Sequence, residues 1–203
     1  MRRAAIQIVE NLVGNGVEFD LRAALDAALP LLPVEAGQET VTAVLTFLGA
    51  RLETYLQEEG VRTSVVRAVI AEQGHNPFGA YRAATALEPV VEAPSWPPLL
   101  DAYARCVRIT RDQPPYDLQP DAFAEIYEQE LLAAYREAAE LVDGTVEGLL
   151  AALKVLEPAI TRFFDHVLVM AEDEAVRQNR LALLQRIAAL TEGTADLSQL
   201  EGF

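Results

Sequence analysis

Apolar residues recur along this chain at helical spacing, and no run alternates with the period of two that is typical of a β-strand. The first helical segment begins near Arg2 and places Ala5, Ile8, Val9 and Leu12 on one stripe. Comparable stripes follow one another to about residue 190. The pattern predicts an all-α fold, a helical bundle of about eight to ten helices with no sheet.

Glycine, proline and capping residues divide this pattern into separate helices. In chain order the predicted segments are about 2–13, 20–29, 38–59, 63–74, 76–88, 95–111, 120–142, 145–157, 159–167 and 173–190. Pro89 is expected to end one helix and Pro158 to kink or break another, because proline lacks the N–H that a helix interior needs. The tail over 191–203 is expected to fray, with at most one turn near Asp196.

A short segment near the middle of the chain indicates a domain boundary. Residues 90–94 end in proline and are expected to form an extended connector. The predicted domains are therefore a helical region over 1–93 and a second helical domain over 94–203.

Composition and charge narrow the class of protein. Of the 203 residues 51% are hydrophobic and 23% charged, which is typical of a folded chain. The formal net charge of −15 argues against a protein that coats nucleic acid, because phosphate binding needs local positive potential. No apolar run approaches the roughly 18 residues of a membrane span, so we expect a cytoplasmic protein with neither a membrane nor DNA as partner.

Residues with catalytic potential are few. Cys106 is the only cysteine, which excludes an internal disulfide and a cysteine-based zinc site, and its apolar helical position favours a buried side chain. His166 and His75 are the two histidines, and neither has a suitably spaced partner. A di-metal carboxylate site needs Glu-x-x-His on two facing helices, and this spacing occurs once, at Glu72 and His75; no Gly-rich phosphate loop occurs. We expect a chain that is not catalytic by itself and holds no metal or cofactor.

The arrangement with most functional promise is a set of three arginines. Arg105, Arg108 and Arg111 recur every three residues, so they share one side of a predicted helix. Their charges could contact successive phosphates, and Tyr103 could stack a base nearby. From spacing alone the alternative stays open that they are solvated arginines paired with neighbouring acids.

A second pair of arginines shows the same spacing. Arg177 and Arg180 lie three residues apart on the last predicted helix. They are a smaller candidate for binding nucleic acid, and the same alternative of a solvated helix face applies to them.

Three segments resemble one known family, in that family's order along the chain. Residues 2–9, 102–109 and 163–184 are similar to segments of the β subunit of the bacterial two-subunit glycyl-tRNA synthetase. The third segment is the most specific: a phenylalanine pair and aspartate, an acidic turn and then Asn-Arg-Leu-Ala-Leu-Leu. The resemblance is extended by Ala-Asp-Leu-Ser at 195–198 and covers nearly the whole chain.

The resemblance implies a function that the residues alone do not. It implies that 94–203 is a DALR-like helical anticodon-binding domain that recognises tRNA(Gly), with 1–93 as a helical lead-in. It also implies the α subunit and the rest of the β subunit as partners, with ATP used by the α subunit. Within the family pattern Arg105 matches a basic position, whereas Arg108 stands where the family usually has asparagine.

Two other classes of function remain open at the level of sequence. The acidity favours an acidic helical protein-interaction scaffold that contacts no RNA. A free-standing helical hydrolase ranks third, because His, Asp and metal-ligand residues do not cluster.

Overall fold

The structure, a computed structural model, describes residues 2–203. Within that range the regular structure consists of α-helices and short 3-10 turns, without a strand. The helices are α1 (Arg2–Gly14), α2 (Leu21–Ala28), α3 (Gln38–Glu58), α4 (Thr63–Gln73), α5 (Pro77–Val91), α6 (Trp96–Thr110), α7 (Ile126–Leu141), α8 (Val146–His166) and α9 (Glu174–Ala188). The predicted all-α class is confirmed.

The chain divides into two compact units. The first unit comprises Met1–Val90 together with Gly193–Glu201, and the second comprises Val91–Glu192 together with Gly202–Phe203. The domain limits expected from the sequence, 1–93 and 94–203, stay a prediction.

Local signals explain the helices of the first unit. The Asp20 carboxylate accepts a hydrogen bond of 3.0 Å from the Ala23 N–H and so caps α2. Leu21 and Leu48 are buried together in a small core between α1, α2 and α3. The amphipathic pattern thus predicted these helices. On α1 the expected stripe is buried at Ala5 and Val9, but Ile8 is 40% exposed, so its place on the buried stripe was wrong.

The tail over 191–203 is ordered, so the expectation that it frays is wrong. Its backbone is tied to α4: the Asp196 N–H donates to the Ala68 carbonyl at 2.8 Å, and the Gln73 amide donates to the Thr194 carbonyl at 2.8 Å. Leu197 is fully buried at the start of a 3-10 turn that Asp196 caps. The partner lies more than 120 residues away along the chain, which no local pattern can reveal.

Neither of the two prolines that were expected to interrupt a helix does so. Pro158 lies on the exposed side of α8, where the adjoining Leu156 and Ile160 are buried and hold the helix against the core. Pro89 lies in the last turn of α5, which continues only to Val91. Packing of the apolar face offsets the lost hydrogen bond in α8, and in α5 few helical residues remain after the proline.

Two other boundaries differ from the sequence-based expectation. Residues 92–95 form a turn instead of an extended connector, closed by a 2.9 Å hydrogen bond from the Trp96 N–H to the Ala93 carbonyl. The long helix expected from residue 120 begins at Ile126, because Glu125 and Glu128 form a capping box there. Only a 3-10 turn occupies Pro120–Ala122.

The second unit is built from α6 to α9. Helices α7 and α8 form a hairpin, and α6 packs against both α8 and α9. Phe163 of α8 and Leu184 of α9 are fully buried in the shared core. This packing leaves one side of α6 in solvent, and the three arginines expected to bind nucleic acid begin on that helix.

Candidate nucleic-acid interface

Helix α6 and the residue that follows it carry the three arginines, which we call the arginine strip (Arg105, Arg108 and Arg111). The helix begins at Trp96 with two prolines in its first turn, where a missing N–H costs nothing. Its buried side includes Leu100 and Cys106. Residues 102–111 contain the three arginines and no acidic residue, so this stretch is locally basic within an acidic chain.

Arg105 is half-buried and lies on an aromatic ring. The carbon at the centre of its guanidinium group is 4.4 Å from the centroid of the Phe164 ring of α8. A cation over the face of an aromatic ring is attracted by the ring's quadrupole. The contact therefore holds the guanidinium group in place while part of the side chain stays in solvent.

Arg108 and Arg111 are both exposed to solvent, but their neighbouring side chains differ. Arg108 forms a long ion pair of 3.9 Å with Asp101, and its guanidinium group lies 5.5 Å from the centroid of the Phe203 ring. An exposed pair of this length contributes little and leaves Arg108 able to exchange partners. Arg111 follows the last residue of α6, is exposed, and has no ion pair within residues 2–203. All three arginines of the strip are thus at least partly accessible.

Tyr103 is placed inside the unit. Its side chain is 4% exposed, and its hydroxyl donates to the Ala188 carbonyl at 2.9 Å and shares a second hydrogen bond of 2.9 Å with the Thr191 hydroxyl. The ring also packs against Phe203. In this conformation the Tyr103 ring is not available to stack a base.

Arg180 is the centre of a buried network, although it was considered as a possible tRNA contact. It is 5% exposed, and its Nε donates to Glu128 at 2.6 Å while Nη1 donates to the Leu168 carbonyl at 2.8 Å. Its Nη2 pairs with Glu125. We call these three groups and Arg180 the Arg180 network. With its donors engaged inside the protein, the guanidinium group ties α9 to the start of α7 and is not available to RNA in this conformation.

Arg177 has a related internal contact. It is half-buried, and its Nη1 donates to the Ala171 carbonyl at 2.8 Å. The structure therefore brings the six sequence-predicted residues into two sets: the strip on α6, with Tyr103 turned inward, and the pair on α9 that holds the 168–171 loop.

Sequence reasoning missed several residues that shape this unit. Glu128 is 3% exposed and also accepts hydrogen bonds from the Ala124 and Glu125 N–H groups at 3.0 and 2.9 Å. Buried Asn179 accepts from the Gln119 N–H at 2.7 Å and donates to the Gln119 carbonyl at 3.0 Å. The Glu-x-x-Glu spacing at the start of α7 was an available signal for the cap.

Cys106 and His166 are both engaged within the second unit. Burial raises the pKa of the Cys106 thiol to about 12, more than the nearby Arg105 lowers it, so the thiol stays protonated at neutral pH. His166 stacks on Tyr127 at 4.2 Å, and its Nδ1 lies 2.9 Å from the Arg162 carbonyl oxygen. In the described part of the chain no three His, Cys, Asp or Glu residues could together hold a metal ion. None of the helices within residues 2–203 is both long and apolar enough to span a membrane.

Comparison with known proteins adds independent information about the chain. A family model described as "Glycyl-tRNA synthetase beta subunit" matches residues 1–71, and one described as "DALR anticodon binding domain" matches residues 99–197. The glycine–tRNA ligase "chloroplastic/mitochondrial 2" of Arabidopsis thaliana is 34% identical over all of this chain and 20% of its own length.

Bacterial relatives show the same pattern. The glycine–tRNA ligase beta subunit of Myxococcus xanthus is 34% identical over 99% of this chain and 31% of its own length. That of Desulforudis audaxviator is 33% identical over 98% of this chain and 30% of its own length. The chain therefore spans between a fifth and a third of the length of these curated relatives.

Proposed function

This chain belongs to the glycyl-tRNA synthetase β-subunit family and contains its DALR anticodon-binding domain, and we propose that it binds the anticodon region of tRNA(Gly) through the arginine strip. The observation that carries this proposal is that three arginines along α6 and at its end are at least partly accessible, in a ten-residue stretch of the matched domain without an acid. Arginine suits the task because its planar fork matches phosphate and base edges.

The acidity of the chain is compatible with this function. A net charge of −15 repels a polyanion from most of the surface, so the locally basic strip is the place where RNA can approach. We therefore expect the RNA to bind in one orientation, against the strip. We also expect its affinity to fall steeply as the salt concentration rises, because phosphate contacts release counterions.

The proposal includes the place of this chain in a larger enzyme. The complete enzyme attaches glycine to tRNA(Gly) with ATP at its α subunit, and this chain supplies RNA recognition in place of catalysis. Its partners are tRNA(Gly), the α subunit and the rest of the β subunit, in the cytoplasm. The sites proposed for RNA are Arg105, Arg108 and Arg111.

A fluorescence titration at one stated salt concentration tests this function. The chain is titrated with tRNA(Gly), with the same tRNA carrying three replaced anticodon nucleotides, and with a non-cognate tRNA. We expect tighter binding to the first, and weaker binding by the Arg105→Ala variant. Equal affinity for all three RNAs would contradict anticodon recognition by this chain, and unchanged affinity on substitution would remove Arg105 from the site.

Protein contact is the second candidate function, and exposed apolar side chains of the second unit favour it. Ile126, Leu168 and Met170 are 60%, 71% and 49% exposed, and the Arg180 network joins the segments that carry Leu168 and Ile126. Light scattering of the chain mixed with the remaining synthetase chains tests this candidate. If a complex forms and the Leu168→Ser variant does not join it, this surface is a protein interface. If the variant joins equally well, it is not.

A further inference from the structure

Arg105 differs from its two neighbours in the strip because its guanidinium group rests on a rigid support. Phe164 packs edge-on against Phe163 with a centroid distance of 5.7 Å and an interplanar angle of 83°. Phe163 is fully buried in the core of the second unit. The Phe164 ring is thereby held in position, and its 4.4 Å contact restrains the guanidinium group of Arg105.

The hydrogen-bonding capacity of Arg105 is unused inside the protein. Among the described residues its guanidinium group makes no ion pair and no hydrogen bond, whereas the guanidinium group of Arg180 makes three. An arginine that only served stability would gain more from pairing with one of the many acids of this chain. A planar cation that lies 4.4 Å from the centroid of an aromatic ring, with its donors free, can serve as a stacking surface.

Guanidinium planes stack on unpaired bases in RNA complexes. A guanidinium group that stacks on the Phe164 ring leaves its other face open, and that open face is the one that a base would cover. Arg111 lies six residues further along, about 9 Å by the rise of an α-helix, and is exposed without an aromatic support. A point charge without a support suits a phosphate contact better than a base contact.

We propose that Arg105 is a stacking platform for one unpaired base of the RNA, forming a Phe164–guanidinium–base sandwich, while Arg111 contacts a phosphate. The proposal rests on the proposed function and deepens it, because it divides the strip into a residue that holds a base and a residue that holds the backbone. Arg108, already 5.5 Å from the Phe203 ring and paired with Asp101, is not required for the division.

Charge-conserving substitutions separate the two roles. Lysine keeps the charge but has no plane to stack, so Arg105→Lys is expected to lower affinity for an anticodon-stem hairpin about tenfold. The slope of log affinity against log salt stays as in the wild type. Arg111→Lys, the matched control, is expected to keep the affinity within about twofold, since a lysine ammonium group still binds a phosphate as a point charge although it lacks the bidentate fork. Phe164→Leu, which removes the support but not the arginine, is expected to act like Arg105→Lys.

A second readout identifies the base. Hairpins with one abasic nucleotide at each loop position are titrated with the wild type and with Arg105→Lys. The wild type is expected to lose about tenfold at one position, and the variant to be insensitive there, which is the coupling that a direct contact produces.

The outcomes distinguish this inference from the proposed function. If Arg105→Lys binds like the wild type while Arg105→Ala and Arg111→Ala bind more weakly, or if no abasic position couples to residue 105, the stacking inference is overturned and the proposed function stands. If none of the alanine variants changes affinity, the proposed function itself is overturned.

Discussion

Arg105 and Arg180 are both members of arginine sets spaced three residues apart, yet the second unit uses them in opposite ways. Arg105 keeps its donors free and touches only a ring at 4.4 Å, whereas Arg180 is 5% exposed and engages Glu128, Glu125 and the Leu168 carbonyl. Spacing alone does not separate a recognition surface from an internal tie. The neighbouring helices decide, because α6 has one side in solvent and the Arg180 side of α9 faces the start of α7.

The largest effect is expected from breaking the Arg180 network. Arg180→Ala leaves the buried Glu128 carboxylate without its cation, which costs about 3–5 kcal/mol in the free energy of unfolding. Urea denaturation measures the loss. Adding Glu128→Gln is expected to recover part of it, since no unpaired buried charge remains and the amide oxygen can still accept from the Ala124 and Glu125 N–H groups.

The matched control on the same helix is Arg186→Ala, which removes an exposed arginine. It is expected to change the free energy of unfolding by less than about 0.5 kcal/mol. A loss for Arg180→Ala no larger than the control's would mean that the network is not a structural tie.

Asn179 extends the comparison to a neutral side chain beside Arg180. Asn179→Ala leaves the Gln119 N–H and carbonyl without their partners, and we expect a loss of about 1–3 kcal/mol in thermal or urea unfolding. Gln178→Ala serves as the control, because the Gln178 amide donates only to the exposed Glu174. Its free energy of unfolding is expected to stay close to that of the wild type. If Asn179→Ala is as stable as the wild type, the two hydrogen bonds between Asn179 and Gln119 do not contribute to the stability of the second unit.

The position of the arginine strip could be predicted from the sequence, whereas the burial of Arg180 could not. The helices, the Asp20 cap and the position of the arginine strip follow from local spacing and capping residues. The burial of Glu128 and Arg180 depends on two segments 52 residues apart meeting, and the ordered tail depends on α4. Likewise, the low helix propensity of proline predicts a kink or break at Pro158. The helix continues there because the apolar face of α8 is packed against the core.

A smaller effect is expected at Arg111, where the contact is with RNA. Arg111→Ala is expected to lower the slope of log affinity against log salt by about one and to weaken all tRNAs alike, because a phosphate contact carries no sequence information. Titrations at several salt concentrations measure the slope. An unchanged slope would exclude Arg111 as a phosphate contact.

The smallest effect is expected in the tail of the first unit. Burial opposes ionisation of Asp196, but hydrogen bonds from Ser198 and Gln199 outweigh it and lower the pKa of the carboxyl group. The stabilisation is therefore complete above the unfolded value of about 3.9 and is lost as the pH falls through the folded pKa.

Asp196→Asn tests this dependence. We expect the variant to be less stable by under about 1 kcal/mol at neutral pH, because the carboxylate is partly solvated, and the difference to shrink below about pH 4. Urea denaturation at several pH values measures it. A difference that grows toward low pH would contradict the assigned sign.

The most direct test of RNA binding by the arginine strip is a charge-matched pair of triple variants titrated with tRNA(Gly) at one salt concentration. One variant replaces Arg105, Arg108 and Arg111 by alanine, and the other replaces Arg136, Lys154 and Arg186, which are exposed in the same unit. We predict that the strip variant loses at least about tenfold in affinity while the other stays within about twofold of the wild type. Equal losses in both variants, or no loss in the strip variant, would contradict the account.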